Sequence, residues 1–445
     1  MVVIRYVNDY GDGTSGYLDY GSGIVVTTAS GQPIEVTSSS SGVVSVQGGG
    51  TGSDAFGRLR TAEAFTLFDS SHRYKDNGLW STSSGVGGTA TFDANAGLVN
   101  LAVTTTSGSE VVRETTKIFP YQPGKSLLVM STFVMESGKA GLRQRVGYYG
   151  ASNGIYLEKN GINSPVFVER NSVTGSLTET SISQSSWNED KLDGTGPSGL
   201  TLNLNKAQIL WMDIEWLGLG TVRVGFVING RFIHCHSFHH ANLITSTYIT
   251  TASLPLRYEI KNTAATASSS TLKQVCSTVI SEGGYEIRGL QQAIGTSITA
   301  PYSLTTAGTY YPVISIRLKS TALDAVVVLS ALSIMAAAGT ANYSWRVIEA
   351  ATTTGGTWVS AGTNSSVEYN LTGTSTSGGR VAAQGYFSAS NQALAPTDIL
   401  REALFKFQLE RDGLTGTPYE ITLAVTASAN TSTVHASLDW EEISL

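Results

Sequence analysis

The sequence predicts an all-β chain: two successive β-sandwiches behind an N-terminal arm. Three observations lead there. Charged residues make up only 14% of the 445 positions, well under the roughly 25% of an average soluble domain, and the helix formers Glu and Lys are scarce. Glycine fills 48 positions, above the typical roughly 7%. Short β-branched and aromatic runs recur along the chain, separated by Gly and Asn turn signals. These exclude a helical bundle or coiled coil, and 9% aromatic residues argue against disorder.

Charge and cysteine content narrow the class further. A net charge of −6 leaves no basic footprint for nucleic acid. Two cysteines, Cys235 and Cys276, do not make a disulfide framework. Met1–Asp9 lacks the apolar stretch of a secretory signal, and no run approaches the roughly 18 apolar residues of a membrane helix. The expectation is a soluble protein made in a cytoplasm, with no membrane insertion.

Residues 1–57 read as an arm. Asn8–Gly23 and Ser38–Ser53 are rich in Gly and Ser, and cannot bury enough surface alone to offset chain entropy. The β-prone patches Gly23–Thr28 and Ile34–Thr37 suit pairing with another chain, which makes the arm an attachment or oligomerising element. Residues 58–290 form the first sandwich. Its strands include Ser126–Glu136, two short strands within Gly154–Val168, and Leu254–Ile260, where Leu256, Tyr258 and Ile260 share a face. Residues 291–301 read as a linker. Residues 302–445 form a jelly-roll-like second sandwich, with strands over Tyr310–Arg317, Ala325–Leu332, Asn342–Glu349, Phe405–Glu410, Tyr419–Ser428 and His435–Glu441. One short helix is expected over Ile399–Leu404, capped by Thr397 or Asp398. The polar stretch Asn370–Gly379 reads as a surface loop.

The segment Ala207–Phe238 permits a register argument. Val222, Val224, Phe226 and Ile228 alternate up to Asn229-Gly230, the strongest short hairpin signal. A two-residue loop pairs Ile228 with Arg231, Phe226 with Ile233 and Val224 with Cys235. A three-residue loop Leu217-Gly218-Leu219 pairs Leu210 with Phe226, Met212 with Val224 and Ile214 with Val222. Apolar residues then agree across three strands. The opposite face places Trp211 beside Gly225 and His234, and Asp213 beside Arg223 and His236. An aromatic ring for stacking next to groups that bond hydroxyls suits a carbohydrate-contacting face, so Trp211, Asp213, Arg223, His234 and His236 are the candidate site. The plainer reading is cross-strand pairing, with Asp213–Arg223 an ordinary charge pair and Trp211 covering Gly225.

Other motifs carry less. His234 and His236 sit at metal-ligand spacing, but Arg223 beside them disfavours a cation. The Asp/Gly loops Asp190–Gly196 and Asp9–Thr14 lack a full calcium ligand set. The sequence calls for no metal and no cofactor. Asp213-Ile214-Glu215 resembles the strand motif of glycosidases with a concanavalin-like jelly-roll sandwich. Those enzymes carry a third carboxylate where Trp211 stands, so a non-enzymatic chain is expected.

Asp54–Arg60 (DAFGRLR), Phe65–Ser70 (FTLFDS), Asp76–Trp80 (DNGLW), Tyr121–Ser126 (YQPGKS), Asp190–Ser198 and Ser281–Tyr285 together resemble structural proteins of tailed bacteriophages, particularly marine and cyanobacterial ones. The resemblance spans about Asp54–Tyr285. It implies a particle protein and identifies no active site. Joined to the reading of the arm and of the sheet face, it gives a virion component assembled in the host cytoplasm, docked to other virion proteins by its arm, trimeric by analogy with phage fibres, with exposed sandwich faces that suit host-surface glycan. A purely structural decoration or tail-assembly protein, and a polysaccharide-degrading enzyme, are the alternatives.

Overall fold

The computed structural model describes three short strands between residues 25 and 48, then residues 63–338, 340–389 and 407–444. The chain divides into Met1–Ala62 and Glu63–Leu445. In the first unit, Val25–Thr27, Pro33–Ser38 and Val44–Gly48 form an antiparallel three-stranded meander. The two β-prone patches pair with each other within the chain. The rest of the arm lies outside the described residues.

The second unit begins with a concanavalin-like jelly-roll sandwich. One sheet has seven antiparallel strands, with Leu142–Tyr149 and Leu256–Asn262 at its centre. The other has eight, and includes Ser126–Val134, Gln208–Ile214, Val222–Ile228, Arg231–Phe238 and Ser270–Glu282. Alternation drives the packing: Leu127, Val129 and Phe133 face the core, while Leu128, Met130 and Thr132 remain half-buried on the far side. Leu256, Tyr258 and Ile260 are fully buried on the opposing sheet.

The outer face of the seven-stranded sheet carries a side-chain lattice that sequence patterning did not reveal. Tyr149 and Tyr156 pack with ring centroids 4.4 Å apart and are fully buried. Arg145, Arg170 and Arg257 lie over these rings at 5.0–5.3 Å. Each guanidinium meets a carboxylate: Arg145 with Glu158 at 2.6 Å, Arg170 with Glu179 at 2.6 Å, and Arg257 with Glu114. Cross-strand cation–π and charge pairs thus do here what apolar cover does elsewhere.

The second sandwich packs a four-stranded against a six-stranded sheet. Val347, Leu423, Val425, Leu438 and Trp440 lie in its core. Three expectations need correction. Of the strand expected over Phe405–Glu410, the described residues 407–410 carry only an isolated bridge from Gln408 to Val328. Leu290–Gly295, expected within a linker from residue 291, is a strand paired with Ser437–Glu442 of the last strand. The expected loop Asn370–Gly379 is loop only in its middle: Val367–Asn370 and Ser375–Ser388 are strands. The second is an edge strand, so its small polar residues need not fill a core and give no apolar alternation. The expected helix over Ile399–Leu404 lies outside the described residues.

The sandwiches meet through buried polar contacts. The Gln408 amide donates to the Ile118 carbonyl at 2.7 Å, and Arg411 N–H to the Thr116 carbonyl at 3.0 Å. The Arg411 guanidinium bonds the Thr115 carbonyl and pairs with Glu114 at 2.8 Å. Ile118, Val326 and Val328 form a small apolar cluster alongside. Glu114 therefore pairs with two cations, the half-buried Arg257 and the buried Arg411. Removing one member of a buried ion pair costs about 3–5 kcal/mol. Glu114→Gln should lose stability on that scale in urea titrations of the full chain, whereas a loss under about 1 kcal/mol would show that solvent already screens this junction.

Candidate functional site

The meander folds with the predicted register over most of its length. Leu210, Met212 and Ile214 oppose Phe226, Val224 and Val222, and all six lie in the core. Asn229-Gly230 makes the turn, both with positive φ, and Ile228 opposes Arg231. One bulge departs from expectation. Gly225 opposes His234, but Val224 opposes His236, which leaves Cys235 as the extra residue. Cys235 still reaches the core. Beyond the bulge the pairing slips by one, so His236 sits opposite core-facing Val224 and not beside Arg223.

The five predicted residues therefore separate. His236 is buried. Its Nδ1 accepts the Asn188 N–H, and burial, with His234 and His239 nearby, pushes its pKa down to about 4. His234 stays on the outer face, its Nε2 3.0 Å from Ser237 Oγ, and burial lowers its pKa. Trp211 is only 6% exposed. Its indole N–H donates to the Ile233 carbonyl at 3.3 Å, and a Cβ on Gly225 would stand 2.9 Å from the same nitrogen. The ring covers Gly225 and is closed to stacking. The exposed aromatic of this patch is Phe232, 5.6 Å from Trp211 ring to ring.

Asp213 and Arg223 remain together, and they line a cleft of about 490 Å³ with Tyr121, Gly124, Lys125, Ser126, Glu215, Leu217 and Thr221. Asp213 Oδ2 accepts from the Arg223 guanidinium. Its Oδ1 is buried and has no hydrogen-bond partner. Arg223 is 57% exposed and spends one nitrogen on this pair. Glu215 Oε2 accepts the Thr221 N–H at 3.2 Å. The Tyr121 oxygen accepts the Trp216 N–H at 3.2 Å; burial raises its pKa, so the phenol keeps a proton to donate. Sequence reasoning missed Tyr121, Lys125 and Thr221 as site residues. The signal was the Pro123-Gly124 turn, closed by Lys125 N–H to the Gln122 carbonyl, with Gly124 at φ +85°.

A third histidine, His240, braces the loop that leads into Thr221. His240 stacks on Tyr248 at 4.0 Å; its Nδ1 faces the Gly220 carbonyl, and its Nε2 is 2.7 Å from Glu169. Both partners are acceptors, so both ring nitrogens donate. Burial opposes that charge, but the two hydrogen bonds outweigh it and the pKa is raised. Among the described residues, no group of three or more His, Cys, Asp or Glu is placed to hold a metal ion.

No family model and no curated protein matches the sequence. Solved structures similar in fold include an endo-β-1,4-glucuronan lyase from the fungus Trichoderma reesei (9% identity, covering 48% of this chain and 95% of that one, TM-score 0.33). A Bacillus licheniformis β-glucanase matches at 11% identity, over 49% and 98% of the two chains, with TM-score 0.30. The CBM2 module of the evolved Dit of Lactobacillus casei BL23 phage J-1 matches at 6% identity, over 51% and 100%, with TM-score 0.31. The expectation of a non-enzymatic chain is corrected by these comparisons, where a lyase and a glucanase stand beside a phage-associated module.

Two outcomes follow from this geometry. Trp211→Ala should lower stability by about 3–5 kcal/mol, as for other buried Trp truncations; a denaturation midpoint unchanged from the parent would show that the ring is not packed as described. The His240 contribution is present in full below the unfolded histidine value of roughly 6.5 and is lost as pH rises through the raised folded value. Stability measured from pH 6 to 9 should therefore contain a falling component that Glu169→Gln removes; identical slopes in parent and variant would contradict the pairing.

Proposed function

We propose that this chain is a virion structural protein of a tailed bacteriophage, of the marine and cyanobacterial kind that Asp54–Tyr285 resembles, and that its first sandwich engages carbohydrate in the Asp213–Arg223 cleft. In this reading the N-terminal 57 residues dock the chain to other virion proteins, and the particle carries it as a homotrimer. The cleft carries the carbohydrate part of the reading. It gathers two carboxylates, a guanidinium, an ammonium and a phenol in one concavity, within the roughly 300–1,000 Å³ range of small-molecule sites. Sugar hydroxyls both donate and accept, and this mixture satisfies both roles. Arg223, 57% exposed and bonded to Asp213 through one nitrogen, keeps further guanidinium donors for a sugar oxygen.

A polysaccharide-cleaving activity is the second reading, and one observation favours it. Asp213, near the end of the strand Gln208–Ile214, and Glu215, just beyond it, both line the cleft. Two carboxylates facing one concavity are the pair of groups that glycoside hydrolysis uses.

A glycan array on the purified chain tests both readings when paired with an assay for new reducing ends. Asp213→Ala should weaken any glycan bound by the parent by about ten- to a hundredfold, since hydrogen bonds to charged groups are worth about 1.5–3 kcal/mol. Glu215→Gln should abolish cleavage if the parent cleaves. Undiminished binding by Asp213→Ala would remove the cleft from the account.

A further inference from the structure

We infer that the cleft selects glycans bearing an anionic substituent, a carboxylate or a sulfate, and that Lys125 is the specificity-determining residue. This rests on the carbohydrate reading of the same site. The four charged groups of the cleft are not equivalent. Asp213 and Arg223 neutralise each other. Glu215 is held by the Thr221 N–H. Lys125 Nζ has neither a hydrogen bond nor an ion pair among the described residues, although the residue is half-buried in the wall.

The backbone holds this lysine in place. The Gln122–Lys125 turn sets its Cα. The side-chain stem then lies against Gly283: a Cβ built there would sit 3.4–3.8 Å from Lys125 Cγ, Cδ and Cβ. Gly283 has φ +117°, where a side chain is strained. The neighbouring Ser126 hydroxyl is already committed to Glu282 at 2.7 Å. A lysine whose stem is packed and whose ammonium is unspent has lost much of its rotamer freedom before any ligand arrives, and that loss is a main cost of binding. An anionic group on the sugar is the partner that completes it. Arg223, with guanidinium nitrogens left over from Asp213, flanks the same space and offers the planar fork that suits carboxylate or sulfate.

The test is an array of paired glycans that share a backbone and differ only in being neutral, uronate-bearing or sulfated, probed with the full chain and with Lys125→Met, which keeps the stem. The parent should bind at least one acidic series about tenfold tighter than its neutral counterpart at low ionic strength, with the gap narrowing as salt is raised. Lys125→Met should bring the ratio of acidic to neutral affinity, read within the same variant, down to about one, and the uronate and sulfate series tell the two anions apart. Equal binding of neutral and acidic glycans by the parent, or an acidic preference that survives Lys125→Met, overturns the selectivity and leaves the carbohydrate reading standing. No binding to any series overturns both.

Discussion

The pairing of Met212 with Val224 governs the rest of the first sandwich. These two residues, with Leu210, Ile214, Val222 and Phe226, commit one side of two adjacent strands to the core. Side-chain direction alternates strictly along a strand, so the commitment leaves Asp213 and Arg223 opposite each other on the far side. A one-residue slip of either strand would turn its own charged residue toward the core and its three apolar side chains outward. The cleft is thus a by-product of core register: its two central charges are placed by residues that never touch a ligand.

The same rule, broken once, explains what the cleft lacks. The bulge at Cys235 absorbs one residue, and His236 leaves the outer face for the core side. The imidazole becomes a buried acceptor for Asn188. Trp211 is lost as a stacking platform for a different reason. A glycine directly across the strand invites the ring to lie down on it, and the indole finds a carbonyl there. Polar chemistry at this site therefore comes from the sheet's end, where the loops carrying Lys125, Leu217 and Thr221 close around Asp213 and Glu215.

Elements defined by local alternation were legible in the sequence: the meander, the strands near Ser126 and Leu256, and most strands of the second sandwich. Elements defined by their partner were not. The edge strand Ser375–Ser388 has small polar residues because one neighbour suffices there. Leu290–Gly295 reads as a linker until the last strand is placed beside it. The Arg–Tyr–Glu lattice on the seven-stranded sheet joins residues from several separate strands, and no spacing rule announces it. Of the candidate site, the Asp213–Arg223 pair was readable because both residues lie on the meander. Tyr121 and Lys125 were not, since they arrive from a turn nearly ninety residues earlier.

Hydrogen–deuterium exchange on the full chain, with and without the tightest glycan from the array, bears most directly on whether this cleft is where carbohydrate binds. The account predicts slowed exchange in peptides covering 121–126 and 213–223, with the outer face of the seven-stranded sheet unchanged. Protection confined to that other face, around Tyr149 and Tyr156, would contradict it.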